Sequence, residues 1–85
     1  MKIRVLYFAS LREAVGIDQE SLDLPLEVRS LAQVRAYLCG RGQPWADALA
    51  TRRALRAAVD QVASEPDAQV HDGAEVAFFP PVTGG

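Results

Sequence analysis

One short segment, Glu75–Phe79 with the sequence EVAFF, determines how the rest of the chain can fold. The residues after Glu75 are apolar on both faces of a strand, which is typical of a strand in the centre of a sheet. Pro80 and Pro81 follow directly, and neither can donate a main-chain N–H to a ladder. The chain therefore has to leave the sheet after Phe79.

The N-terminal segment Lys2–Ala9 alternates in the manner of a β-strand. One face carries Ile3, Val5 and Tyr7, and the opposite face carries Arg4, Leu6 and Phe8. A second strand is predicted over Glu20–Pro25, where a similar alternation is stopped by a proline. The two strands are expected to pair as a hairpin with a long connection.

Capping boxes at Ser10–Glu13 and Ser30–Gln33 predict the start of two helices. The first is short and ends at Gly16. The second is the main helix, about Leu31 to Cys39, because its apolar residues recur at helical spacing. A further short helical stretch is predicted to begin near Trp45.

The segment Leu55–Gln61 gives conflicting signals. Its apolar residues fall at helical spacing, but a sheet of only three strands would leave the main helix little to pack on. We therefore predict a strand there. The resulting order of strands and helices resembles the β-grasp architecture of ubiquitin-like proteins. This predicts an α+β domain over residues 1–79, with a mixed sheet of four to five strands, one main helix and short helical turns. A flexible Gly-Gly tail is expected over residues 80–85.

Composition excludes several classes of function. The 85 residues suit one domain, and the net charge of −2 with no run of Lys or Arg argues against nucleic acid as a partner. No apolar stretch is long enough to cross a membrane, so a cytoplasmic location is expected. A single cysteine and a single histidine supply neither an internal disulfide nor a metal site.

The C-terminal tail is the strongest functional candidate. It consists of Pro80, Pro81, Val82, Thr83, Gly84 and Gly85. Extended, these residues place the Gly85 carboxylate up to roughly 20 Å from the body, and the glycines allow it to pass a narrow channel. An ionised carboxylate is a poor electrophile, so it has to be activated, for example by adenylation, before a sulfur nucleophile can convert it to a thiocarboxylate.

The segments Phe78–Gly85 and Asp72–Ala77 resemble the C terminus of the small subunits of molybdopterin synthase, a family of ubiquitin-like sulfur carriers. Val5–Glu13 is similar to the first strand and helix of the same family. The resemblance extends over effectively the whole chain, and the tail motif is highly specific. One departure is Asp60, where the family usually has Asn, and no role is assigned to it.

This resemblance implies that the chain has no catalytic activity alone and binds no cofactor. Its Gly85 carboxylate is adenylated by an ATP-dependent activating enzyme and becomes a thiocarboxylate with sulfur from a donor system. The tail then enters the large, catalytic subunit of the synthase and gives its sulfur to cyclic pyranopterin monophosphate. Two carriers are needed for the two sulfurs of the dithiolene, which implies a heterotetramer.

The docking surface is expected beside the tail. If the first and last strands are neighbours, Leu6, Phe8 and Phe79 form an apolar patch that contacts a partner, with Arg12 close by to pair with acidic groups; the alternative is that a helix covers them. Cys39 is interpreted as a small core residue and His71 as a solvated turn residue.

Other functions remain open from the sequence. A carrier for thiamine synthesis or tRNA thiolation also ends in Gly-Gly, and a ubiquitin-like modifier uses such a tail to join target lysines. A small self-contained enzyme is disfavoured, because the sequence contains no paired catalytic groups that can be picked out.

Overall fold

Five strands form one mixed sheet in the computed structural model, which describes residues 1–81 of the chain. The strands are β1 (Lys2–Tyr7), β2 (Gln19–Asp23), β3 (Arg56–Val59), β4 (Val62–Ser64) and β5 (Glu75–Phe79). Their order across the sheet is β2-β1-β5-β3-β4. β1 and β5 are parallel, and the other neighbouring pairs are antiparallel. The β-grasp prediction and the central position of the last strand are therefore confirmed.

Within residues 1–81, three helices accompany this sheet: α1 (Ser10–Val15), α2 (Leu31–Cys39) and α3 (Trp45–Ala48). α2 supplies the apolar stripe that covers one face of the sheet. The buried residues of this core include Leu31, Val34 and Leu38 from α2, Ile3, Val5 and Tyr7 from β1, and Val76 and Phe78 from β5. Each large apolar side chain removed from water in this way stabilises the fold by roughly 1.5–3 kcal/mol before the entropy cost of ordering it.

The two predicted capping boxes differ in outcome. Ser30 caps α2 as predicted, because its hydroxyl accepts from the Gln33 N–H at 3.2 Å and the Gln33 side chain accepts from the Ser30 N–H at 3.1 Å. The prediction for Ser10 is wrong, since Ser10 is itself the first residue of α1 and Ala9 occupies the cap position without a side-chain hydrogen bond. Ala9 has a φ of 53°, which turns the chain from β1 into α1 within two residues and moves the cap one residue earlier.

Ser30→Ala is expected to lower the free energy of unfolding by about 1 kcal/mol, because the Gln33 N–H loses the hydroxyl that accepts its hydrogen bond. Ser10→Ala is the matched control, and we expect it to change this free energy by no more than about 0.5 kcal/mol, since its hydroxyl caps nothing. Urea unfolding monitored by circular dichroism measures both. Equal losses in the two variants would contradict the assignment of the caps.

The segment with conflicting signals is a strand. β3 pairs with β5, and its residues Ala57 and Val59 pack against the core while Ala58 faces the other side. The turn to β4 places Asp60 and Gln61 at φ values of 50° and 69°, as the tightest hairpin turns require. β4 has three residues and was not predicted separately from the sequence. The sheet therefore extends one strand beyond β3 on this side.

Candidate docking face and tail exit

The sheet has a second face, opposite α2, which we call the outer face. It carries alternate residues of each strand, among them Arg4 and Leu6 of β1, Glu75, Ala77 and Phe79 of β5, and Arg56 and Ala58 of β3. The predicted difference between the two faces of β1 is present. Val5 and Tyr7 are 0% and 1% exposed, whereas Leu6 is only half-buried and Phe8 is 45% exposed.

The parallel pairing of β1 with β5 brings the predicted patch residues together. Leu6 lies opposite Ala77, and the Phe8 N–H donates to the carbonyl of Phe78 at 3.2 Å, which extends the ladder by one residue and sets Phe8 beside Phe79. We call Leu6, Phe8, Ala77 and Phe79 the outer patch. Ala77 was not among the predicted residues, although its alternation with Phe79 indicated the same face.

Charged side chains border the outer patch. Arg4 and Glu75 form an ion pair of 2.8 Å at the end of the face away from the tail. Arg56 lies directly opposite Phe79 in the pairing of β3 with β5 and is exposed. Arg12 is also exposed on α1, in a shallow groove with Ile17 on the β2 side. Arg56 is therefore next to the patch on the β3 side, whereas Arg12 lies in a groove that contains no patch residue. Arg56 was not predicted from the sequence.

The tail leaves the sheet next to a groove between α1, α3 and the segment before β3. Pro80 and Pro81 follow β5 directly and are both half-buried. The groove has a volume of about 310 Å³, and its walls include Leu11, Ala14, Ala48, Arg53, Leu55 and Pro80. The predicted tail residues Val82, Thr83, Gly84 and Gly85 lie outside the described residues.

Arg35 fixes the wall of this groove. Its guanidinium donates to the carbonyls of Leu49, Ala50 and Arg53, so that one α2 side chain holds the segment that follows α3. Partial burial lowers the pKa of Arg35 below its usual range. Asp47 holds the same segment, since it accepts from Arg52 at 2.6 Å, and this contact is the main cause that lowers the pKa of Asp47. The carbonyls that Arg35 contacts lie 14 to 18 positions further along the chain, so the sequence gives no signal of that part of the arrangement.

A second polar cluster links β1, β2 and the residues between α2 and α3. The Tyr7 hydroxyl donates to Glu20 at 2.7 Å, and Arg41 pairs with Glu20 at 2.9 Å while it stacks over the Trp45 ring at 4.1 Å. Burial, followed by the bond to Glu20, raises the pKa of Tyr7. Cys39 is half-buried against the same core, with its Sγ 3.3 Å from the Leu49 carbonyl oxygen. This position agrees with the structural interpretation of Cys39.

His71 is exposed, as predicted, but it is not merely solvated. Its Nε2 lies 2.6 Å from Asp60 and its Nδ1 lies 2.9 Å from the Asp72 carbonyl oxygen. Two acceptors favour the protonated ring, and the bond to Asp60 is the main cause that raises the pKa of His71. Asp60 also accepts from the Glu75 N–H at 3.0 Å, which is the main cause that lowers its own pKa. Asp60 thus joins the β3–β4 turn to the start of β5.

Asp60→Asn is expected to lower the pKa of His71 toward its ordinary value of about 6.5, because the amide keeps the shape of the carboxylate without its charge. An NMR titration of the single histidine measures this directly. The pair also makes the free energy of unfolding depend on pH. Its stabilising contribution is lost as pH rises through the raised pKa of His71, and it is lost as pH falls through the lowered pKa of Asp60. The full stabilising contribution of the pair is present between about pH 4 and 6.5. An unchanged titration in the variant would contradict the pairing.

Two kinds of site, a membrane span and a metal centre, are absent from residues 1–81. No helix in this part of the chain is long and apolar enough to span a membrane. The same residues contain no group of three or more His, Cys, Asp or Glu side chains arranged to hold a metal ion. The predicted functional features that the described structure brings together are the outer patch and the start of the tail, with Arg56 beside the patch.

These features define a β-grasp domain with an apolar patch beside the point where its C-terminal tail leaves the sheet. The model of the ThiS family matches residues 5–85, and the chain belongs to this family. Two curated relatives, each named molybdopterin synthase sulfur carrier subunit, are similar over 83 residues, which is 98% of this chain and 99% of theirs. The relative from Escherichia coli is 41% identical and the one from Haemophilus influenzae is 39% identical.

Solved structures share the fold. A putative subunit 1 of the molybdopterin converting factor from Pyrococcus furiosus has a TM-score of 0.77 and 25% identity, over 96% of this chain and 99% of that one. A chain from a complex of subunits 1 and 2 of the molybdopterin-converting factor from Helicobacter pylori has a TM-score of 0.65 and 17% identity, over the whole of both chains. At the lower identity the likeness supports the fold alone.

Proposed function

We propose that this chain is the sulfur carrier subunit of a molybdopterin synthase and acts in molybdenum cofactor biosynthesis. The observation that carries the proposal is the sequence identity of about 40% to two carriers of that name over nearly the full length of each chain. The β-grasp fold and the ThiS family agree with it. The chain serves as the non-catalytic subunit, in the cytoplasm, and the large subunit supplies the catalytic groups.

The working group in this proposal is the carboxylate of Gly85. In an activating enzyme, a carboxylate oxygen attacks the α-phosphorus of ATP, and pyrophosphate leaves. A sulfur nucleophile at the oxidation level of sulfide then attacks the acyl carbon, and AMP leaves with the electron pair of the broken C–O bond. The product is a thiocarboxylate. ATP is therefore a substrate of the activating partner, and the carrier itself holds no cofactor.

The body of the protein positions this group by means of the tail. Pro80 and Pro81 end β5 and give the first part of the tail a restricted backbone. Six residues from Pro80 onward extend at most roughly 20 Å, which is long enough to reach a buried active site in a partner. Gly84 and Gly85 have no side chains, so they suit a narrow channel. Val82 and Thr83 complete the segment that enters the partner.

Docking uses the outer patch. Phe8 and Phe79 expose apolar surface next to the tail exit, and apolar patches of this kind mark protein interfaces. We assign Leu6, Phe8 and Phe79 to the contact with the large subunit and Arg12 to its edge. The Helicobacter pylori relative comes from a complex of subunits 1 and 2 of the molybdopterin-converting factor. Because the dithiolene contains two sulfurs, two carriers act for each product, in a heterotetramer.

Reconstitution tests the proposal. The thiocarboxylated protein is mixed with the large subunit from the same organism and cyclic pyranopterin monophosphate, and the dithiolene product is measured. Formation of product, with the carrier returned to its carboxylate form, is the expected result. Failure here, combined with sulfur delivery in a thiamine or tRNA-thiolation assay, would assign the chain to another carrier pathway. Linkage of Gly85 to lysines of other proteins would identify a modifier instead.

A further inference from the structure

The outer face contains two arginines in different electrostatic situations. Arg4 is paired with Glu75 at 2.8 Å, so its charge is already compensated within the protein. Arg56 is exposed, and among residues 1–81 no carboxylate lies within ion-pair distance of its guanidinium. The protein as a whole has a net charge of −2, so an uncompensated cation at this position goes against the overall balance.

Arg56 lies beside the centre of the proposed contact. It is opposite Phe79 in the antiparallel ladder between β3 and β5, and directly opposed residues on one face have Cβ atoms about 4.5–5.5 Å apart. A partner that covers Phe79 closely therefore also removes water from around Arg56. Burying an unpaired charge is strongly unfavourable, whereas a guanidinium that meets a carboxylate in two parallel hydrogen bonds is well accommodated.

We propose that Arg56 is a specificity residue of the docking face, and that it pairs with an Asp or Glu side chain of the large subunit placed next to the pocket that receives Phe79. This inference rests on the proposed function, because it takes the large subunit as the occupant of the outer patch. The partner surface is thus an apolar pocket with a carboxylate on the β3 side. A partner without that carboxylate is rejected, because it would leave the charge of Arg56 buried and unpaired.

The test compares charge reversals at two exposed arginines. Arg56→Glu is expected to weaken binding to the large subunit from the same organism by about 10-fold or more, measured by calorimetry, and most of the loss should persist at high salt because the partner excludes water from the pair. Arg29→Glu changes the net charge equally but lies just before α2, and we expect less than about a 2-fold change. Arg56→Gln is the milder variant if the charge reversal disturbs the fold, which circular dichroism reports.

Reversing the charge on both partners tests whether Arg56 pairs with this carboxylate in particular. Substitution of the partner carboxylate by Lys should weaken binding to the parent carrier and restore binding to the Arg56→Glu variant. Equal affinities for the parent, Arg56→Glu and Arg56→Gln would overturn the proposal and leave Arg56 as a solvated side chain at the edge. Phe79→Asp separates this failure from that of the proposed function. If Phe79→Asp weakens binding while Arg56→Glu does not, the outer patch still binds the large subunit but Arg56 has no charge partner there. If neither variant weakens binding, the assignment of the outer patch to the contact fails as well.

Discussion

Deletion of Gly85 is expected to abolish sulfur transfer while the free energy of unfolding stays within about 0.5 kcal/mol of that of the parent protein. The sheet ends at Phe79, so the packed core does not depend on the last residue. The reacting carboxylate, in contrast, would move to Gly84 and fall about 3.5 Å short of its position in the partner. A displacement of even about 1 Å at a reacting centre can cost 100-fold in rate.

The comparison is made in the reconstituted synthase, with urea unfolding as the control for an intact fold. A chain extended by one leucine after Gly85 is a second variant, since it keeps both glycines but removes the terminal carboxylate from Gly85. We expect it to be inactive as well. Activity in either variant at the level of the parent protein would contradict the role of the terminal carboxylate.

Substitutions at the adjacent residues Phe78 and Phe79 are expected to have different effects, the first on the stability of the fold and the second on binding to the large subunit. Phe78 is 2% exposed and faces α2, so Phe78→Ala should lower the free energy of unfolding by about 3–5 kcal/mol, since it leaves a cavity in the core. Phe79 is half-buried on the outer face. Phe79→Asp should weaken binding to the large subunit by more than about 1 kcal/mol if the ring anchors the contact.

Each variant is measured for both quantities, by urea unfolding and by calorimetric titration with the large subunit. Phe79→Ala is a useful third variant, because it removes the ring without adding a charge and should lose less stability than Phe78→Ala. The assignment of faces fails if the two positions affect stability equally. The docking role of Phe79 fails if its aspartate variant folds and binds with unchanged affinity.

The sequence predicted those elements whose local and tertiary signals agree. The capping box at Ser30 and the apolar spacing in α2 both indicate a helix, and its bounds were predicted as Leu31 to Cys39. β5 is apolar on both faces and followed by Pro80, so its central position could also be predicted. Leu6, Phe8 and Phe79 of the outer patch follow from the alternation in β1 and β5 when these strands are neighbours, whereas Ala77 was not predicted.

The remaining features depend on the tertiary structure. β3 has helical spacing of its apolar residues, and it is a strand because it pairs with β5. Ser10 lies in a capping-box sequence, yet the turn at Ala9 takes over the cap. The contacts of Arg35 and the position of Arg56 beside Phe79 join segments far apart in the chain, and no local pattern reports them.

The most direct test of the central claim is the mass of the intact protein after incubation with ATP, its activating enzyme and a sulfur donor. We predict a gain that corresponds to the exchange of one oxygen for sulfur, located by fragmentation at Gly85 and dependent on ATP. A whole sulfur atom added to Cys39 as a persulfide in place of that exchange, or no gain at Gly85 under conditions in which a known carrier is converted, would contradict the account.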